Sequence, residues 1–421
     1  MGWWPFSPLA LSYQYIWFRA PPPSLSYSSA HPLPSSSPGS SHLTCHNIPG
    51  DGDGDLEVWH ASPLPQSPSQ TLALPSPYSS SHPSNNDHAP QPTRREGKGK
   101  NKQPAILFVH GGMGNAHVFL PTLSYLSKLG ISCYAASLRG HGRSWQPGYL
   151  QMLATGKHVM AKDVLRVMKW VDEQEDGEGG LVLAGHSAGG GLVQYILANM
   201  GRGRRGKDGT AGAGEVEWEK KVIDKVRGAI LMAPYPGVGS FKILLNWASF
   251  DPLLNLRMLL QFGHPNSPLS HPALTHNAFF SPSMPREEVE EFHLRICPYE
   301  SLAWPLGMVR PFADPEAVAR RVNPRRQRGG GEGSEGAAGK VLVMAGKGDR
   351  LMTPRIMYHL AERLRGNKEY ESGDVGEDES PERTEKDVEL VVVEGAHHFQ
   401  NDVRKEDSMA VIADWYHKMA F

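Results

Sequence analysis

The sequence predicts an α/β fold with a doubly wound, mostly parallel sheet, and two observations carry this prediction. Short apolar segments recur along the chain, and each is continuous rather than alternating, as is typical of parallel strands covered on both faces. Between these segments lie stretches with the 3.6-residue period of amphipathic helices. Regular alternation of strand and helix favours a sheet that is flanked by helices.

The predicted elements begin near residue 104. The apolar segments assigned as strands are Ala105–Val109, Ile131–Ala136, Leu181–Ala184, Ala229–Ala233, Val341–Ala345 and Val388–Val393. The helices expected among them cover 117–129, 158–174, 188–200, 354–366 and 405–419. An earlier segment, Leu56–Ala61, alternates like a half-buried strand and is predicted as the first strand of the domain.

Composition divides the chain into an N-terminal segment and one large domain. Residues 1–100 contain 17 Pro and 19 Ser, and such a stretch buries too little apolar surface to offset the entropy of ordering it. We therefore predict a disordered segment over 1–50 and an α/β domain over 51–421. Low-complexity loops are expected within the domain at 62–103, 201–216, 325–339 and 367–387.

The segment 237–322 departs from the strand–helix alternation. It is rich in aromatic and aliphatic residues but has no strand periodicity. We predict that it forms a mainly helical insertion after the Ala229–Ala233 strand.

Charge and cysteine content exclude several classes of function. The 43 basic and 44 acidic residues give a formal net charge of −1, so no general attraction to nucleic acid or to an anionic membrane is expected. No window approaches the roughly 18 apolar residues of a transmembrane helix. Cys45, Cys133 and Cys297 form neither a disulfide framework nor the paired spacing of a zinc site. Their scarcity favours a reducing compartment, and a cytoplasmic location is expected.

A GxSxG motif is the sharpest indication of chemistry. Gly185-His186-Ser187-Ala188-Gly189 directly follows a predicted strand and directly precedes a predicted helix. This is the context of a nucleophile elbow, in which small flanking residues leave room for a sharp turn. The motif predicts Ser187 as the nucleophile, with the N-terminus of the following helix directed at a developing oxyanion.

A nucleophilic serine needs a base and an acid that orients the base. Asp349 follows the Val341–Ala345 strand by four residues, and His397 and His398 come just after the Val388–Val393 strand. Because the carboxyl ends of parallel strands meet at one edge of a sheet, we expect these groups to lie near Ser187.

The loop after Ala105–Val109 reads His110-Gly111-Gly112-Met113-Gly114. Glycine-rich backbone allows N–H groups to approach a substrate oxygen closely. We predict that the amides of Gly112 and Ala188 form an oxyanion hole.

These motifs together resemble those of the α/β-hydrolase family, in its broad lipase, esterase and peroxidase-like group. The resemblance covers roughly residues 52–421 without the low-complexity loops. Besides the motifs around Ser187 and Gly112, it rests on Arg139-Gly140-His141-Gly142-Arg143-Ser144, Gly348-Asp349 and Gly395-Ala396-His397-His398.

The chain departs from the family pattern at one position, and it leaves the choice of the catalytic histidine open. The family usually places an acid shortly before the RGxGxS-like motif, where this chain has Ser137. A Gly-Ala-x-His pattern selects His398 as the base. Relatives also often carry an acid five residues after the catalytic histidine and Gln three residues after it, and Asp402 and Gln400 stand so relative to His397. We favour His397 and keep His398 as the runner-up.

The resemblance implies a serine hydrolase that needs no metal and no organic cofactor. In this fold an insertion at the position of 237–322 caps the active site, and its apolar content implies an apolar ester or acyl substrate, small-molecule or lipid-like. The fold also hosts acyltransferases, carbon–carbon and amide hydrolases, cofactor-free peroxidases and inactive ligand-binding modules. The sequence leaves these alternatives open.

Overall fold

A computed structural model describes residues 42–50, 54–65, 102–202, 213–297, 299–323, 340–367 and 387–419. These residues form one eight-stranded sheet flanked by helices. Most of the predicted N-terminal segment, and most of the predicted loops at 62–103, 201–216, 325–339 and 367–387, lie outside the described residues. The predicted loop over 201–216 is wrong for its last four residues, because a helix begins at Ala213.

The sheet is parallel over most of its width. Its strands are β1 (Leu43–Ile48), β2 (Leu56–Ala61), β3 (Ala105–Val109), β4 (Cys133–Ala136), β5 (Leu181–His186), β6 (Val226–Met232), β7 (Val341–Gly346) and β8 (Val388–Val393). Their spatial order is β1-β2-β4-β3-β5-β6-β7-β8. β2 runs antiparallel to β1 and to β4, whereas every pair from β4 across to β8 is parallel. The predicted fold class is confirmed.

Helices alternate with the strands as the sequence predicts. They are α1 (Leu120–Lys128), α2 (Tyr149–Leu153), α3 (Lys157–Gln174), α4 (Ala188–Asn199), α5 (Ala213–Ile223), α6 (Phe241–Phe250), α7 (Leu254–Leu260), α8 (Pro272–Phe279), α9 (Arg286–Leu294), α10 (Ala303–Leu306), α11 (Pro315–Val322), α12 (Pro354–Arg365) and α13 (Lys405–Lys418). Short 3₁₀ helices cover Ala116–Phe119, Ser267–Leu269 and Phe399–Asn401.

The first strand corrects the sequence analysis. Leu56–Ala61 is the second strand, because Leu43–Ile48 pairs with it from Leu43 opposite Ala61 to Ile48 opposite Leu56. The predicted disordered segment over 1–50 is therefore wrong for residues 43–48. Of the β1 side chains only Ile48 is buried, so the strand has no apolar pattern of its own and depends on its pairing with β2.

The core of the sheet explains the continuous apolar segments. Every residue of β3, β4, β5 and β7 is buried. Burying one large aliphatic side chain contributes about 1.5–3 kcal/mol, so these strands are specified strongly by composition. Because they are parallel, the loops that follow β3, β5, β7 and β8 leave the sheet at a single edge.

The described part of 237–322, here called the inserted segment, is helical and comprises α6 to α11 between β6 and β7. Several of its large apolar side chains face outward, including Leu259, which is 74 % exposed, and Phe262, which is 78 % exposed. An apolar pocket beneath the inserted segment would therefore account for only part of its apolar content. Among the described residues, no helix is both long enough and apolar enough to cross a lipid bilayer.

A buried carboxylate on β2 organises the loop after β4. Glu57 is fully buried and accepts hydrogen bonds from Ser137 Oγ at 2.7 Å and from the Arg143 N–H at 3.0 Å. Gly142, at φ +53°, passes so close that a Cβ there would lie 2.3 Å from Glu57 Oε2. Ser137 stands where the resembled family usually has an acid, and Glu57 brings a carboxylate to that serine from the neighbouring strand.

Glu57 makes the stability of the fold depend on pH. Burial by itself disfavours its charged form, but hydrogen bonds from His117, Ser137 and the Arg143 backbone lower its pKa from 4.5 to about 2. A depressed carboxyl pKa contributes stability above pH 4.5 that is lost as the pH falls towards 2. We expect Glu57→Gln to lower the free energy of unfolding at pH 7 by about 3 kcal/mol.

Urea unfolding of wild type and Glu57→Gln at pH 7 and at about pH 3 checks this linkage, because the difference should shrink at the lower pH. Glu287→Gln, on the exposed side of α9, is the matched control; as an acid in the first turn of its helix it should change either value by less than about 1 kcal/mol. An equal difference at both pH values would contradict the assignment.

Candidate active site

Ser187 stands at the turn between β5 and α4 in a rare backbone conformation. Its φ is +53° and its ψ is −124°, which is unfavourable for a residue with a Cβ. The backbone around it compensates, since Ser187 N–H donates to Met232 O at 3.0 Å and Ser187 O accepts from the Tyr235 N–H at 2.9 Å. The strained turn lifts the side chain out of the line of the strand.

The glycines of the motif are required by close backbone approach. A Cβ on Gly189 would lie 2.2 Å from His110 O, and one on Gly185 would lie 2.6 Å from Gly189 O. Gly111 in the loop after β3 is similarly close, with its Cβ position 2.8 Å from Ser187 Cβ. Only glycine at these positions allows the β5–α4 turn to pack against the end of β3.

Three residues from separate loops meet at this edge of the sheet. His397 Nε2 lies 3.0 Å from Ser187 Oγ, and His397 Nδ1 lies 3.0 Å from Asp349 Oδ2. All three side chains are buried. Because Nδ1 faces a carboxylate, it is the nitrogen that carries the proton, which leaves Nε2 to accept from the serine hydroxyl.

Asp349 is itself held in place by backbone donors. Its Oδ1 accepts the N–H groups of Leu351 and Met352, each at 2.8 Å, where the chain turns towards α12. The second oxygen is thereby directed at His397. A carboxylate with two such donors keeps its orientation and leaves its other oxygen for the imidazole.

His398 lies apart from Ser187 and makes different contacts. Its Nδ1 is 3.2 Å from the Gln400 side-chain amide, and its backbone N–H donates to Phe279 O at 2.8 Å. Burial, and then the neighbouring His186 and His397, hold the pKa of His398 well below its usual range. The His398 ring is therefore neutral. The structure brings His397 rather than His398 between Ser187 and Asp349.

Asp402 secures the loop that carries His397. Its Oδ2 accepts the Ala396 N–H at 2.9 Å and also the Ser281 hydroxyl at 2.8 Å. Ser281 belongs to the inserted segment. The acid five residues after His397 thus joins the histidine loop to the inserted segment.

The peptide that carries the Gly112 N–H is oriented by His110. The Leu138 N–H donates to His110 Nε2 at 3.0 Å, so the ring proton is on Nδ1, which donates to Gly111 O at 2.7 Å. Gly111 O and the Gly112 N–H belong to one peptide unit, so this bond fixes the direction of the N–H. Burial, with His141 nearby, lowers the pKa of His110 to about 3, which keeps the ring neutral.

Ala188 is the first residue of α4. The N–H groups of a first helical turn have no partner within their helix, and this is the reason for predicting the Ala188 N–H as a donor. The sequence prediction that Gly112 and Ala188 donate to an oxyanion stays a prediction.

Glu300 was missed by the sequence analysis. It is buried in the inserted segment, and its Oε2 lies 3.1 Å from His141 Nε2. His141 and Glu300 are 159 positions apart in the chain, so nothing in the sequence pairs them. His141, Cys297 and Glu300 each offer a ligand-type atom within 4.8 Å of the others.

Hydrogen bonds already satisfy much of this cluster. Glu300 Oε1 accepts the Ser301 N–H at 2.7 Å, and Oε2 accepts the Met113 N–H. Burial by itself disfavours a charged His141, but the Glu300 carboxylate raises the pKa of His141 well above its usual range. Burial also raises the pKa of the Cys297 thiol. We describe the cluster as an ion pair with a neighbouring thiol.

A cleft opens beside the loop that follows β3 rather than over Ser187. Its volume is about 660 Å³ including space open to solvent, and it lies between Met113–Val118 and helix α9. Ser187 is only 8 % exposed, and the Phe279 ring centroid lies 5.3 Å from that of His397. The inserted segment therefore packs against His397 through Phe279.

Comparison with known proteins agrees with this architecture. The model of the alpha/beta hydrolase family matches residues 106–415. The chain belongs to the alpha/beta hydrolase family.

Solved structures show the same fold at low sequence identity. A thermophilic esterase from Thermogutta terrifontis, with malate bound, is 15 % identical, with 89 % of this chain and 98 % of that chain covered and a TM-score of 0.50. An esterase from Exiguobacterium antarcticum is 14 % identical, with 89 % and 100 % covered and a TM-score of 0.51. No curated protein sequence matches the chain.

Gly189→Ala tests the close packing of the elbow. The added methyl would lie 2.2 Å from a backbone oxygen that cannot move alone. We therefore expect Gly189→Ala to lower the free energy of unfolding by at least about 2 kcal/mol. Thermal and urea unfolding measure this change. Gly156→Ala is the control, because Gly156 directly precedes a helix and a Cβ there would have no atom within 4 Å. Equal stability of the two variants would contradict the packing argument.

Proposed function

We propose that this protein is a serine hydrolase that cleaves an ester-type bond, a carboxylic ester or a thioester, through an acyl-enzyme on Ser187. One observation carries the proposal: the hydrogen-bonded series from Ser187 Oγ to His397 to Asp349, with both heavy-atom distances at 3.0 Å. Nucleophile, base and orienting acid in hydrogen-bond reach are what acyl transfer by a serine requires.

In the first half of the reaction, Ser187 Oγ attacks the carbonyl carbon while His397 Nε2 takes its proton. Asp349 holds the Nδ1–H tautomer and stabilises the imidazolium that forms. The imidazolium then gives its proton to the departing alkoxide or thiolate, and the acyl group remains on Ser187.

In the second half, water replaces the leaving group. His397 takes a proton from the water as the oxygen attacks the acyl carbon, and the same proton returns to Ser187 Oγ when the acid leaves. In both halves the Gly112 and Ala188 N–H groups bind the tetrahedral oxyanion. The His110 bond to Gly111 O supports this role, because it holds one donor peptide rigid before the charge develops.

The surroundings of the proposed site favour an apolar acyl group, small-molecule or lipid-like. Phe279 lies against His397. Tyr235 and Met308 crowd Gly191 at the start of α4, where a Cβ would be 3.1 Å and 2.7 Å from their atoms. Aromatic and thioether side chains bind hydrocarbon well and contribute little to a polar substrate.

Ser187→Ala provides the direct test. We expect loss of hydrolysis of a short p-nitrophenyl ester by a factor on the order of 10⁴ or more, because the nucleophile is absent. Wild type should be labelled covalently by a fluorophosphonate probe, and Ser187→Ala should not. A wild type that folds but neither hydrolyses nor labels would favour an inactive ligand-binding module.

The two histidines provide a matched pair within the same test. His397→Gln should lose activity by roughly 10⁴-fold, since the base is removed. His398→Gln changes a wall residue one position away and should retain most of the activity. The reverse order would make His398 the base.

Acyl length tests the substrate class. We expect kcat/KM to rise about 2- to 4-fold for each methylene from acetyl to hexanoyl esters, because each buried CH₂ is worth up to about 0.8 kcal/mol. Stopped assays with the purified protein and a graded p-nitrophenyl ester series measure this slope. A flat or falling series would indicate a polar acyl group instead.

A further inference from the structure

The loop that carries Gly112 is held by the inserted segment at three points. The Met113 N–H donates to Glu300 Oε2, and the Cys297 N–H donates to Met113 O at 3.2 Å. The Asn115 side-chain amide donates to Arg295 O at 3.0 Å. Both backbone polar groups of Met113 are therefore bonded to a part of the chain that lies far away in sequence.

Met113 needs this support because of its backbone conformation. Its φ is +63°, in the left-handed region that residues with a Cβ rarely adopt. A single residue held there persists when surrounding bonds over-determine it. Release of the Met113 N–H would allow the residue to relax, and the adjoining Gly112 peptide would move with it.

Glu300 lies directly beside the proposed oxyanion donor. A Cβ built on Gly112 would be 3.3 Å from Glu300 Oε2. The carboxylate is 4 % exposed and is fixed at its other oxygen by the Ser301 N–H at 2.7 Å. The Glu300 N–H in turn donates to Asn266 Oδ1 at 3.1 Å, so the side chain and its backbone are both anchored.

A lone negative charge at this place would oppose the oxyanion that the loop is proposed to bind. His141 neutralises the charge of Glu300 and so removes this repulsion. Its Nδ1 lies 2.8 Å from Arg139 O and its Nε2 lies 3.1 Å from Glu300 Oε2. Both ring nitrogens face oxygen acceptors, so both carry protons and the ring is an imidazolium. The raised pKa of His141 agrees with this geometry.

The His141 loop is rigid enough to serve this purpose. Arg139 forms a two-pronged ion pair with Asp163 of α3, in which Nε to Oδ2 and Nη2 to Oδ1 are both 2.7 Å. On its other side the loop is bonded to Glu57 through the Arg143 N–H. These bonds hold the loop, and with it the His141 ring, in a fixed position beside Glu300.

We propose that Glu300 is a positioning residue that fixes the loop carrying Gly112 through the Met113 N–H, and that the His141 imidazolium neutralises the charge of Glu300. Formation of a competent oxyanion hole then requires this part of the inserted segment to be docked. The inference rests on the function proposed above and adds a residue that touches neither the nucleophile nor the base in the described contacts.

Steady-state kinetics of Glu300→Ala, Glu300→Gln and the exposed control Glu287→Ala, all as full-length chains, test the inference. We expect Glu300→Ala to lower kcat about 10- to 100-fold, up to the effect of losing one oxyanion donor, with KM changed less than about 3-fold. The fluorophosphonate labelling rate should fall by a similar factor. Glu300→Gln keeps one of the two acceptor oxygens, which can still face the Met113 N–H while the bond from the Ser301 N–H is lost, and it should lose only about 3- to 10-fold, because a neutral acceptor bonds more weakly.

Thermal unfolding of each variant separates positioning from loss of folded protein. If Glu300→Ala does not fold, Glu300→Gln alone decides, and an unchanged kcat overturns the inference. A rise in KM at constant kcat would also overturn it, since Glu300 would then bind substrate. A wild type that is inert towards esters and probe would refute the proposed function instead, and the inference would fall with it.

Discussion

The site depends on one close approach between two stretches of backbone. The turn after β5 passes the end of β3 so tightly that Gly189 lies against His110 O and Gly111 lies against Ser187. Ser187 stands at a positive φ in this turn, and Gly111, which precedes the predicted donor Gly112, lies directly against its side chain. A side chain at either glycine would separate the two loops, so the chemistry proposed for Ser187 is inseparable from the packing of these strands.

The inserted segment holds two of the loops around Ser187 by hydrogen bonds. Through Ser281 it bonds Asp402, which holds the histidine loop at Ala396. Through Glu300 it bonds Met113 in the loop after β3. Two of the loops that leave the sheet edge are therefore braced by the inserted segment, through residues that lie between its helices, whereas Ser187 is bonded to the sheet itself through Met232 O. Movement of the inserted segment would disturb the His397 loop and the loop after β3 together.

The histidines around the site are all buried but differ in charge. His110, His186 and His398 are enclosed with no hydrogen bond to an acid among the described contacts, and desolvation lowers the pKa of each. His141 is equally enclosed but faces Glu300, which raises its pKa. The same residue type therefore serves as a neutral hydrogen-bond donor at one position and as a fixed cation at another, and the difference lies in one carboxylate.

The sequence by itself determined the parallel strands, the helices between them and the elbow at Ser187, because these are local patterns of burial and turn chemistry. It also placed Asp349 and the histidine pair at the correct sheet edge, since strand ends can be read from apolar segments. Only the tertiary structure decided that β1 exists, that His397 rather than His398 faces Ser187, and that Glu57 and Glu300 serve distant loops. Each of these depends on pairing between residues far apart in the chain, such as the 159 positions between His141 and Glu300, and no local periodicity encodes such a pair.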